Sequence, residues 1–182
     1  VFRQMLTYVF AIFIFCLFVD KFIFGYFTIS LANSQLFKKN YESARFFYSL
    51  NSMYYNIFGY TRKAKIKKAD IQYQIAKTYA AQGNQKDAMN ALGTGVMYLQ
   101  SDFGIYNRTV ADYLSNQSAD FFISVGDTNR AANVANQAQF IYNKVGITPN
   151  DTAALHRIYG KIAFVRNEYN NAFANYQNAL DI

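Results

Sequence analysis

The chain has 182 residues and a formal net charge of +7, with 52% of its residues hydrophobic and 16% charged. That length holds one ordinary domain. A single cysteine excludes a disulfide framework and Cys-based zinc, a single histidine excludes a His-cluster metal centre, and one proline with 9 glycines favours long helices over a loop-rich sandwich.

The first helix is expected over 4–38. Met5 to Val19 reads MLTYVFAIFIFCLFV, a run without charge that ends at Asp20 and Lys21. A bilayer-spanning helix needs about 20 mainly apolar residues. Val1 to Val19 comes close to that length, with Arg3 and Gln4 able to snorkel at one end. No small-residue cleavage site follows Val19, so a single-pass membrane anchor at 1–21 is expected in place of a signal peptide. Cys16 falls inside this run as a small buried hydrophobe. Arg3 on one flank competes with Lys21, Lys38 and Lys39 on the other, which leaves the side of the remaining chain undecided. Gly25 is the expected kink or fray point of this helix.

The next helix, 41–57, is apolar on two faces. Ala44, Phe47, Tyr48, Asn51 and Tyr55 make one stripe, and Phe46, Leu50, Met53, Tyr54 and Ile57 make another. A helix apolar on both sides is usually buried on both sides, so the second stripe is expected to contact lipid, another subunit or a further helix. Helix 62–82 opens with Arg62, Lys63, Lys65, Lys67 and Lys68. The antiparallel return of helix 41–57 carries this cluster back toward the membrane, where it is expected to meet lipid headgroups or an acidic partner. Further helices are expected over 85–100, 103–125, 128–144, 151–166 and 169–181, with Pro149 just ahead of the seventh.

A repeat underlies these helices. Small residues at Ala32, Ala76, Ala119 and Gly160 each precede an alanine by twelve positions: Ala44, Ala88, Ala131 and Ala172. Tyr48, Leu92, Ala135 and Tyr176 follow four later, and the alanines are 44, 43 and 41 residues apart. Small residues on facing helices allow axes about 8–10 Å apart. Short polar turns separate the helices, with Gly83 and Gly126 suited to a left-handed helix end and Asn84 and Asp127 to the next cap.

On these residues the chain from about 22 to 182 resembles the tetratricopeptide repeat family. Ile75, Ala76, Tyr79, Gly83, Ala88, Leu92 and Gly95 carry the likeness best. The resemblance implies an all-α fold, an α-solenoid of about four helical hairpins after the anchor, with a period of 41–44 in place of the family's 34. It also implies a concave partner-binding groove lined by the first helix of each hairpin. Carried over position by position, that groove holds Asn33, Tyr73, Gln74, Lys77, Tyr113, Asn116, Gln117, Asp120, Arg157 and Lys161.

No catalytic constellation accompanies the repeat. His156 stands alone, Asp112 and Asp120 lack a second acidic cluster, and Gly93-Thr94-Gly95 has no Gly-Lys to make a phosphate loop. The expectation is a non-enzymatic, membrane-anchored scaffold or assembly subunit that binds other subunits of a membrane complex and the lipid bilayer. It would need no metal or cofactor, no small-molecule substrate and no nucleic acid. The alternative is a peptide-binding adaptor or chaperone-like protein at the membrane.

Overall fold

A computed structural model describes residues 25–182, and among these every regular element is helical. The anchor expected at 1–21 lies outside the described residues. Within them, no helix is long and apolar enough to cross a membrane. The elements are α1 (25–37), α2 (Tyr41–Phe58), α3 (Arg62–Ala81), α4 (Gln85–Phe103), α5 (Arg108–Tyr113), a π-helical turn (Leu114–Ser118), α6 (Ala119–Ser124), α7 (Thr128–Val145), α8 (Pro149–Val165) and α9 (Tyr169–Leu180).

They pair as antiparallel hairpins: α1 with α2, α3 with α4, the α5–α6 rod with α7, and α8 with α9. Each hairpin packs on the next, an architecture compatible with an α-solenoid.

Four turns inside the hairpins repeat one geometry. Lys39, Gly83, Gly126 and Asn167 all have positive φ, between 58° and 78°. After each comes a residue near φ −86°, namely Asn40, Asn84, Asp127 or Glu168. Its amide donates back to the carbonyl five residues earlier: Asn40 to Gln35, Asn84 to Tyr79, Asp127 to Phe122 and Glu168 to Ala163, at 2.9–3.0 Å. This is the Schellman closure of a helix end. Asn40, Asn84 and Asp127 then cap the following helix by accepting from the third amide ahead.

The small residues sit where the helices approach. Ala32, Ala44, Ala76, Ala88, Ala119 and Ala131 are fully buried, and Ala172 and Gly160 are buried too. Tyr48, Leu92 and Ala135 fill the space beside them, and the half-buried Tyr176 of α9 packs its ring over Gly160.

Three boundaries differ from expectation by more than one residue. α4 runs to Phe103, and α5 begins at Arg108 instead of 103. Gly104 at φ 90° closes α4, and the Asn107 side chain accepts from the Thr109 amide to start α5. α8 starts at Pro149 instead of 151, because Thr148 and Asp151 form a reciprocal capping box with Pro149 in the first turn. The expected helix 103–125 also contains the π-helical turn, which brings Tyr113, Leu114, Ser115, Ser118 and Ala119 to the buried side together.

Candidate interaction surfaces

Five of the ten expected groove residues bond side chain to side chain across successive hairpins. Gln117 donates to Asp70 at 2.8 Å, Arg157 to Asn116 at 2.7 Å, and Lys161 to Asp120 at 2.8 Å. Asn33 accepts from the Tyr48 hydroxyl at 2.6 Å, inside the first hairpin. The Lys77 ammonium lies 5.5 Å from the Tyr73 ring centroid, and Gln74 is half-buried. Burial, aided by the Asp120 charge, pushes the Tyr73 hydroxyl upward in pKa.

Tyr113 departs from the groove. It is 4% exposed, its hydroxyl donates to the Ala69 carbonyl at 3.2 Å, and burial drives its pKa far up. A methyl added at Gly95 would fall 2.2 Å from that hydroxyl, so Gly95 is the space in which Tyr113 packs. The structure therefore corrects Tyr113 from a groove residue to a core wedge between the second and third hairpins. Tyr113 lies with Val110 and Ala111 among the buried residues of α5.

The basic cluster divides into two faces at helical spacing. Arg62, Lys65 and Lys68 turn toward α4 and α5. Arg62 donates to Thr109 at 3.0 Å, Lys65 pairs with Asp102 at 3.0 Å, and Lys68 sits 3.5 Å from the Tyr98 ring centroid. Burial lowers the Lys68 pKa, opposed by Asp102 and reinforced by Lys65. Lys63 and Lys67, four apart, are exposed on the other face. No ion pair is formed by either among the described residues.

The second stripe of α2 is open along much of its length. Phe46, Met53 and Ile57 are 50–58% exposed, with Leu50 and Tyr54 half-buried between them. The matching positions of later hairpins are polar at three sites of five: Asn90, Thr94 and Ser101 beside Met97 and Tyr98 in α4, and Asn133, Gln137 and Lys144 beside Phe140 and Ile141 in α7. The hairpin thus does not require apolar residues at those sites, and α2 is distinct in carrying them.

A polar cluster between α5, α7 and α8 was not anticipated from sequence. Tyr142 donates to Asp112 at 2.7 Å, and its hydroxyl lies 3.2 Å from that of Ser115. Arg108 pairs with Asp151 and donates to the Gly146 carbonyl at 2.6 Å. Burial raises the Asp112 pKa, although the Tyr142 bond opposes this. Burial would also raise that of Asp151, but the Thr148 hydroxyl and amide and the Arg108 guanidinium outweigh it and hold the carboxyl low. These residues lie far apart in sequence, and only the stacking of hairpins joins them. His156 makes a 3.1 Å contact with Asn175 and has no nucleophile or acid beside it among the described residues. Nor do the described residues hold a group of three His, Cys, Asp or Glu able to bind a metal ion.

No protein-family model matches the chain. No curated protein matches it either.

Proposed function

We propose that this protein is a non-enzymatic scaffold subunit of a membrane protein complex. In this reading residues 1–21 anchor it in the bilayer, and a tetratricopeptide-like solenoid of four hairpins holds partner subunits. The observation that carries the proposal is the pairing, across hairpins, of five of the expected groove residues. Asp70 with Gln117, Asn116 with Arg157, and Asp120 with Lys161 tie neighbouring hairpins together. Side chains bonded to one another are not free to read an extended peptide, and breaking a charge-assisted pair to admit one would cost about 1–3 kcal/mol. This favours a braced scaffold over a peptide-receiving adaptor. The open stripe on α2 supplies a surface through which a subunit could be held.

The test is isolation of the tagged full chain from its native membrane in mild detergent. A fixed stoichiometric set of proteins that survives size-exclusion chromatography is expected. A chain that elutes alone, or that exchanges many unrelated peptides, would sink the scaffold reading. Extraction of the full chain by an alkaline wash without detergent would sink the anchor.

A further inference from the structure

The two edges of the hairpin stack differ in chemistry. The turns inside hairpins, at 38–40, 82–84, 125–127 and 166–168, carry Lys38, Lys39, Asp127, Arg166 and Glu168. The loops between hairpins, at 59–61, 104–107 and 146–148, carry no charged residue at all. They read Gly-Tyr-Thr, Gly-Ile-Tyr-Asn and Gly-Ile-Thr. In each, the glycine ends one helix, the last residue caps the next, and the residues between point outward. Tyr60 is 80% exposed, Ile105 59%, Tyr106 60% and Ile147 41%. The opposite edge also exposes Phe37, Phe164 and Tyr169, but these stand among charges.

The three loops are neighbours. Arg62, just after the first, donates to Thr109, just after the second. Arg108 in turn donates to Gly146 and Thr148 in the third. Tyr106 stacks edgewise on Phe140 at 6.1 Å. Of the acids toward this edge, Asp102 pairs with Lys65 and Asp151 with Arg108, while Asp112 accepts from Tyr142 and Asp181 from Gln177. Lys63 and Lys144 are exposed beside the loops. The edge is a row of large apolar tips flanked by these two lysines.

The described chain begins beside the half of α2 that leads to this edge. The Gly25 carbonyl accepts from Asn51 at 2.7 Å, two turns before α2 ends at Phe58. The uncharged run ends at Val19, six positions before Gly25. Six residues span at most about 20 Å even when fully extended, so an inserted run would hold this edge close to the bilayer.

We propose that the edge formed by the inter-hairpin loops lies in the interfacial layer of a lipid bilayer. Tyr60, Ile105, Tyr106 and Ile147 enter the headgroup region, and Lys63 and Lys144 face anionic headgroups. The inference rests on the anchored reading above and adds to it an orientation for the repeats. Tyrosine is favoured at headgroup depth, exposed lysines are attracted to an anionic leaflet, and tips strung along an edge suit a fluid, planar partner.

The test uses the full chain with Cys16→Ser and one new cysteine at a time: Tyr106→Cys, Ile147→Cys, or Lys38→Cys on the opposite edge. Each is labelled with an environment-sensitive fluorophore and reconstituted into vesicles of phosphatidylcholine and phosphatidylglycerol in equal parts, with iodide on both sides. Labels at 106 and 147 are expected to be quenched by nitroxide-bearing lipid and shielded from iodide, with the reverse at 38. Lys63→Glu with Lys144→Glu, or high salt, should reduce that shielding. A chain that floats with the vesicles through an alkaline wash but leaves 106 and 147 open to iodide overturns the edge proposal alone. Shielding from iodide without quenching by lipid points to a protein cover and overturns it as well. A chain that fails to float overturns the anchored reading and the edge together.

Discussion

Gly95 and Tyr113 show how tightly one residue's size is set by another. The Tyr113 ring occupies the place a side chain at 95 would take, and its hydroxyl satisfies the Ala69 carbonyl. Gly95→Ala should cost about 1–3 kcal/mol by overpacking, and Tyr113→Phe about 1 kcal/mol for the lost hydrogen bond. The double variant should cost less than the two together, since the added methyl no longer meets a hydroxyl; denaturant melts of the four proteins check this. Asp151 governs a second expectation. Its folded pKa is lowered, so the stability it contributes is present above the ordinary carboxylate range and is lost as pH falls through the folded value. Asp112 acts oppositely: its pKa is raised by burial, so its ionisation penalty is relieved as pH falls. Asp151→Asn should therefore lower stability at neutral pH and flatten its decline as pH falls through and below the ordinary carboxylate range, as followed by thermal melts. An unchanged acid limb would show that the Arg108 pair contributes nothing.

The hairpin turn is the element that repeats most faithfully. Its second residue needs positive φ, yet only two of the four turns place glycine there. A side chain in the left-handed region costs about 1–2 kcal/mol. Lys39→Gly should gain up to about 1 kcal/mol after the greater entropy of the unfolded chain is allowed for. Asn167→Gly should gain less, because asparagine tolerates this conformation. Gly83→Ala and Gly126→Ala should each lose about 1 kcal/mol. A methyl at either site would meet nothing within 4 Å, so the loss would be conformational alone. Midpoints of urea unfolding for the four variants test the common geometry, and a loss for Lys39→Gly would contradict it.

At the scale of the whole molecule, the hairpins differ on their outward faces far more than on their inward ones. Phe46, Met53 and Ile57 on α2 make few packing contacts that their loss would disturb, being half-exposed or more. Phe46→Ser with Met53→Ser should leave the melting temperature nearly unchanged, as surface substitutions generally do. Under the proposed scaffold role, the same variant should release the subunits that the role requires to co-purify. Retention of the full set would assign the stripe no role in assembly.

Sequence by itself determined the helical class, the order of the helices and the register of the repeat. Alanines 44, 43 and 41 apart sit one turn past caps with the same spacing, because close helix packing and helix capping both depend on residue type at fixed local offsets. The left-handed glycines were legible for the same reason, whereas Lys39 and Asn167 were not, since their strain is imposed by the turn around them. Tertiary structure alone decided the rest. The inward turn of Tyr113, the division of the basic cluster and the Arg108–Asp151–Tyr142 network each depend on which helix lies across a gap of some forty residues. Local pattern carries no information on such pairings. The stacking of hairpins made an internal brace of several side chains expected to line a groove and gathered three short loops at one edge.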